Sequence, residues 1–153
     1  MKRFEFKLQA LLNFRKHLER VAQQDMARTV MEVSDCEHQI GSLETTHGQS
    51  AQRLELLVEK GVAAQEFKQH NAYIGAVTQM ILEEKRRRTQ LEKILKKKRL
   101  VLKKRSIDKK AIERLREKQL KEYNQELLGM EQKELDQISS LKKAREISND
   151  AEY

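Results

Sequence analysis

Gly61-Val62-Ala63-Ala64 is the strongest break in a chain of 153 residues, and its reading decides the fold. On its N-terminal side, apolar residues recur at steps of three and four from Phe4 to Leu57. On its C-terminal side, a second run starts near Gln65: Phe67, Ile74, Ile81, Leu95 and Leu102 fall in sevens or multiples of seven, with Val77 and Leu91 on the neighbouring seam. Steps of three and four place side chains on one helix face. A glycine just past the last periodic residue is a helix C-cap signal. Gly41 and Gly48 also interrupt the first run, but a glycine inside a helix costs only about 1 kcal/mol relative to alanine, so they soften it without ending it. The expected fold is all-α, a long antiparallel two-helix coiled-coil hairpin. Its first helix covers about 5–59, the turn 60–65 and the second helix 66–145, followed by a frayed acidic end at 146–153. Position i on the first helix then faces about 125 − i on the second, which leaves residues beyond about 122 overhanging the start of the first helix.

Composition supports long helices over a thick globular core. There is no proline and no tryptophan, aromatic residues make up 5%, and charged residues 37% against about 25% in an ordinary domain. Disorder favours proline, glycine and serine and lacks apolar periodicity. This chain is instead dominated by the strong helix formers Leu, Gln, Glu, Lys, Arg and Ala.

Within the first run, the steps Ala22–Met26–Val30 are both of four, a stutter that should unwind a supercoil locally. Beyond it Val33, Ile40, His47 and Leu54 lie seven apart, as do Cys36, Leu43, Ser50 and Leu57. This is a heptad seam with polar residues near its middle.

The net charge of +8 is unevenly spread. Residues 85–110 hold fourteen Lys or Arg against Glu92 and Asp108, a local balance of +12 that leaves −4 for the rest. Only a thin seam of Leu91, Ile94, Leu95, Leu100, Leu102 and Ile107 accompanies it. Such a block reads as a solvated helix face, a contact for an acidic protein, or a nucleic-acid site. A DNA-reading basic region normally leads into a parallel zipper, whereas this one sits inside the second arm of a hairpin. Aromatic side chains for base stacking are also absent from 85–110. An acidic protein partner is the favoured reading over nucleic acid.

Catalytic patterns are missing. Five scattered glycines make no phosphate loop. Cys36 and His38 point about 200° apart on a helix and do not share an ion. Cys36 reads as a small apolar seam residue. Adjacent Glu83 and Glu84 read as surface charge. A two-helix rod offers no enclosed pocket for a reaction, so no enzyme activity, cofactor, metal or small-molecule substrate is expected. The single cysteine rules out an intramolecular disulfide and, with no signal-peptide core and no membrane-length apolar run, points to a cytoplasmic setting.

Near the turn, Tyr73, Val77 and Met80 follow one another at steps of four and three and share a stripe, with Gln39 and Leu43 at a similar level on the first helix. They read either as part of the seam or as an apolar docking patch on a thin rod.

The opening Phe4-x-Phe6-x-Leu8-x-x-Leu11-Leu12-x-x-Arg15, followed by Glu19 and Ala22, resembles the start of the FliJ family of flagellar export proteins. The chain's size, its basic hairpin design and a tyrosine just past the turn fit as well, and the resemblance runs over nearly the whole chain. It implies a fold like the coiled-coil stalk of rotary ATPase γ subunits. It further implies a non-enzymatic stalk and chaperone-escort component that binds the hexameric flagellar export ATPase, the export-gate membrane protein and flagellar export chaperones. The expected setting is cytoplasmic, peripheral to the inner membrane at the flagellar base. By position, Gln39, Leu43, Tyr73, Val77 and Met80 correspond to the family's gate and chaperone contacts. Thr46, Ser50 and Glu84 depart from that pattern. The ATPase-facing part corresponds to the terminal arms, with Phe6, Leu11, Arg15, Tyr123 and Leu127. From the basic block, Arg86, Arg87, Arg88 and Lys96 are expected to add electrostatic contact. The same fold also serves as the stalk of virulence secretion systems, and a basic coiled-coil nucleic-acid binder is the alternative from another class.

Overall fold

The computed structural model describes residues 3–150, with side chains through residue 148. Two helices make up the ordered elements: α1, Gln9–Lys60, and α2, Ala64–Asp150. They pack antiparallel as a helical hairpin, and no strand occurs among the described residues. The expected start of the first helix near residue 5 lies four residues ahead of the observed one. Residues 7–8 form a lead-in turn closed by the Gln9 amide donating to the Phe6 carbonyl (3.0 Å). The frayed end expected at 146–153 is helical through Asp150, and 151–153 lie outside the described residues.

Gly61 ends α1. Its φ of +85° is a left-handed conformation that costs an L-residue about 1–2 kcal/mol, and its amide donates to the Val58 carbonyl at 3.2 Å. Glu66 in the first turn of α2 complements the positive end of the helix dipole.

The chain divides into two compact units: Met1–His17 with Ser106–Tyr153, and Leu18–Arg105. In the first, Phe6 and Leu12 are buried and the Phe4 and Tyr123 rings approach to 5.6 Å in a tilted arrangement. An Arg15–Asp108 ion pair at 3.2 Å joins the helices. In the second unit, Cys36, Ile40 and Leu91 form a buried cluster with Val33 against it, and Val77, Ile81 and Leu95 extend the core. Cross-helix partners lie within about five residues of the 125 − i expectation in both units: Cys36 with Glu84, Asp25 and Thr29 with Lys98, Glu44 with Lys85, and Arg15 with Asp108.

The stutter expected at Ala22–Met26–Val30 does not form. Thr29 is 1% exposed and Val30 42%, so the steps from Ala22 onward run Met26, Thr29, Val33, Cys36, Ile40 and Leu43 in unbroken alternation of four and three. Hydrophobicity pointed to Val30. The polar Thr29 occupies the seam because its hydroxyl donates to the Asp25 carbonyl (3.4 Å) and accepts from Lys98 Nζ (2.8 Å). The basic stretch is corrected similarly. Leu91 and Leu95 are buried and Leu102 is partly so, but Ile94, Leu100 and Ile107 are exposed. Arg88, Lys98 and Arg105 take the intervening, partly covered positions. Phe67, also placed on the seam by spacing, is exposed.

Candidate partner surfaces

In the second unit a shallow groove of about 350 Å³ is lined by Gln39, Ser42, Leu43, Met80, Glu83 and Glu84. α1 supplies the first three at helical spacing of three or four and α2 the others. Gln39 is exposed, Leu43 half-buried and Met80 half-exposed; Tyr73, two turns nearer the hairpin bend, is also half-exposed. Val77 departs from this set. It is 3% exposed and belongs to the core, because it stands one heptad before Glu84 on the row that faces α1. The residues of this set that reach the surface are therefore Tyr73 and Met80 on α2 with Gln39 and Leu43 on α1.

One lining residue, Glu84, takes part in polar contacts that spacing alone did not reveal. The Cys36 thiol donates toward the Glu84 carbonyl (3.2 Å) and one Glu84 carboxylate oxygen (3.3 Å). Burial, then the hydrogen bond to Glu84 and its charge, push the Cys36 thiol above its ordinary value, while Arg87 and Arg88 pull weakly the other way. Burial and Glu84 both favour the protonated thiol, the form that donates in the seam. Lys85 pairs with Glu44 at 3.1 Å beside the groove. Gln39 and Leu43 were legible as neighbours of Met80; the acidic rim of Glu83 and Glu84 was not, because two adjacent glutamates look like solvated charge.

The basic residues divide by partner. Arg87 lies 3.6 Å from Glu84 and Arg88 3.9 Å from Glu92, each along its own helix. The Arg88 Nε is buried and makes no hydrogen bond. Lys98 bridges to Asp25 at 3.0 Å. Arg86 and Lys96 are exposed and make no ion pair among the described residues. Of the four basic residues singled out, Arg86 and Lys96 present free charge, while Arg87 and Arg88 are already engaged.

In the first unit, Phe6 is buried, Leu11, Tyr123 and Leu127 are half-buried, and Arg15 is committed to Asp108. These residues build the arm as much as they surface it: Phe6 is enclosed, and only the half-buried faces of the others remain open. Among the described residues there is no group of three metal-ligating side chains, and no helix is long and apolar enough to cross a membrane.

The family model for the flagellar FliJ protein matches residues 4–148. No curated protein matches the chain by sequence. A solved structure described as a YscO homolog, CT670, from Chlamydia trachomatis is similar over 91% of this chain and 94% of that one, at 19% identity and a TM-score of 0.44. That superposition is too loose to bear on function.

Proposed function

Because the chain belongs to the flagellar FliJ protein family, we propose that it acts as the non-enzymatic stalk and chaperone-escort component of the flagellar type III export apparatus. In this role it engages the hexameric export ATPase, the export-gate membrane protein and export chaperones from the cytoplasmic side of the inner membrane. The family match over residues 4–148 is the observation that carries the reading, and its flagellar character favours this system over a virulence one.

The chemistry of the surfaces agrees. A protein inside a ring of equivalent subunits needs attraction that acts at range without locking to one subunit. Unpaired, solvent-exposed cations supply such a potential over about one Debye length, roughly 8 Å at physiological salt. Arg86 and Lys96 are of this kind. The groove beside Tyr73, Leu43 and Met80 is chemically different, an apolar site with a polar rim suited to a protein segment of the gate or a chaperone.

The test is a titration of the purified export ATPase with the full chain, read as ATP hydrolysis. Stimulation that saturates, and that falls when Arg86 and Lys96 are both changed to Glu, is expected. Undiminished stimulation by that variant removes the electrostatic part, and absence of both binding and stimulation by the native chain overturns the stalk assignment. Chaperone binding measured separately should fall for Tyr73→Ala and Met80→Ala while the helical signal is unchanged.

A further inference from the structure

The C-terminal part of α2 carries an apolar face that no other described part of the chain covers. From residue 128 to 148 every side chain is exposed, and Leu135, Ile138 and Leu141 are each more than half exposed. Single exposed leucines need no explanation, but three on one helix face do.

The residues around them have an order that shows only once the segment is known to be helical. Counted from Ile138, Leu135 and Leu141 stand three positions away on either side. Glu134 and Lys142 stand four away, and Glu131 and Arg145 seven away. These offsets are the heptad spacing that keeps side chains on one seam. Among these seam residues the pattern is a palindrome in which apolar mirrors apolar and Glu131 and Glu134 each mirror a base; off the seam, Asp136 mirrors Ser140 and Lys133 mirrors Lys143.

Along its own helix this arrangement is unfavourable. Glu131 and Glu134 are like charges three apart, and so are Lys142 and Arg145; such pairs destabilise a helix. Neither acid has a cation at three or four residues in either direction. None of the four makes an ion pair or side-chain hydrogen bond among the described residues.

We propose that residues 131–145 form an antiparallel self-association site, whose occupant is the same segment of a second copy of this chain. A two-fold axis at Ile138 sets Ile138 against its equivalent, Leu135 against Leu141, Glu134 against Lys142 and Glu131 against Arg145. Each cross-pair occurs twice, as a two-fold interface requires. One operation covers the three apolar side chains and gives all four charges an opposite partner. A parallel pair would set acid on acid and base on base. Two heptads with exposed ion pairs make a weak, reversible contact that depends on salt. The segment belongs to the same terminal arm as Tyr123 and Leu127, but self-association is read by sedimentation and the export role by ATP hydrolysis, so the two fail separately.

Sedimentation equilibrium on the full chain at low salt tests it. The native protein should show a reversible monomer–dimer equilibrium that weakens as salt is added. The double variants Glu131→Lys with Glu134→Lys, and Lys142→Glu with Arg145→Glu, should each associate at least about tenfold more weakly. An equimolar mixture of the two should associate at least as well as the native chain, since all charges across the axis are then opposite. A direction readout uses Cys36→Ser chains carrying Leu135→Cys or Leu141→Cys, which should cross-link to each other faster than either does to itself. A native chain that stays monomeric at the highest concentration reached, charge variants that dimerise as well as native, or like-with-like cross-linking each overturns the proposal.

Discussion

Leu12, Thr29 and Cys36 are the most completely enclosed large side chains, and only Leu12 is aliphatic. A two-helix seam has one layer of contacts, so each enclosed group carries a large share of the stability. Leu12→Ala should cost about 2 kcal/mol, at the low end of the usual 2–5 kcal/mol range because solvent lies close by; urea unfolding followed by circular dichroism measures this. Cys36 gives a pH signature. Its thiol is raised above 9.0 by burial and by Glu84, so the fold favours the protonated form. That contribution is complete below about pH 9 and is lost as pH rises through the folded-state value. Native protein should therefore lose stability relative to Cys36→Ala above pH 9, a difference read from paired unfolding curves at pH 8 and pH 10. An unchanged difference between the two would mean that the thiol is not held in the seam.

At the scale of the helices, the break and the heptad were legible for a physical reason. Glycine is the residue that tolerates a φ of +85°, and an added Cβ at Gly61 would meet nothing within 4 Å. Gly61→Ala should thus cost about 1–2 kcal/mol from the backbone alone, with Gly61→Asn less harmful; thermal unfolding would show the order. What hydrophobicity could not reveal is a seam position filled by a polar side chain. Thr29 and Lys98 satisfy each other across the helices, and no scan for apolar residues finds such a pair. Thr29→Arg should cost about 1–3 kcal/mol or more, through overpacking and a second cation beside Lys98, whereas Val30→Ala should stay within about 0.5 kcal/mol. Equal effects at the two positions would restore the stutter. For Val77 spacing left seam and surface both open. It lies between Tyr73 and Met80 in the spacing, yet it points into the seam while they are half-exposed.

For the whole molecule, the family was legible from the opening residues and the general hairpin design, because a chain rich in charge and poor in aromatics has few ways to fold. The partner surfaces were less so. Sequence groups Arg86, Arg87 and Arg88 together, but ion pairs to Glu84 and Glu92 engage two of them and leave Arg86 free. If the chain is the proposed stalk, its binding to the export ATPase weakens between low and physiological salt, which a binding titration at two ionic strengths would show. All of these expectations rest on α2 returning along α1. The most direct measurement is the distance between spin labels at Gln39 and Glu83 in a Cys36→Ser background, by pulsed electron resonance. A hairpin bent at Gly61 predicts one narrow population below roughly 25 Å, since neighbouring helix axes lie about 10 Å apart and the labels add the remainder. A helix running unbroken through Gly61 would separate the labels by about 66 Å at 1.5 Å per residue, and that result would contradict the account.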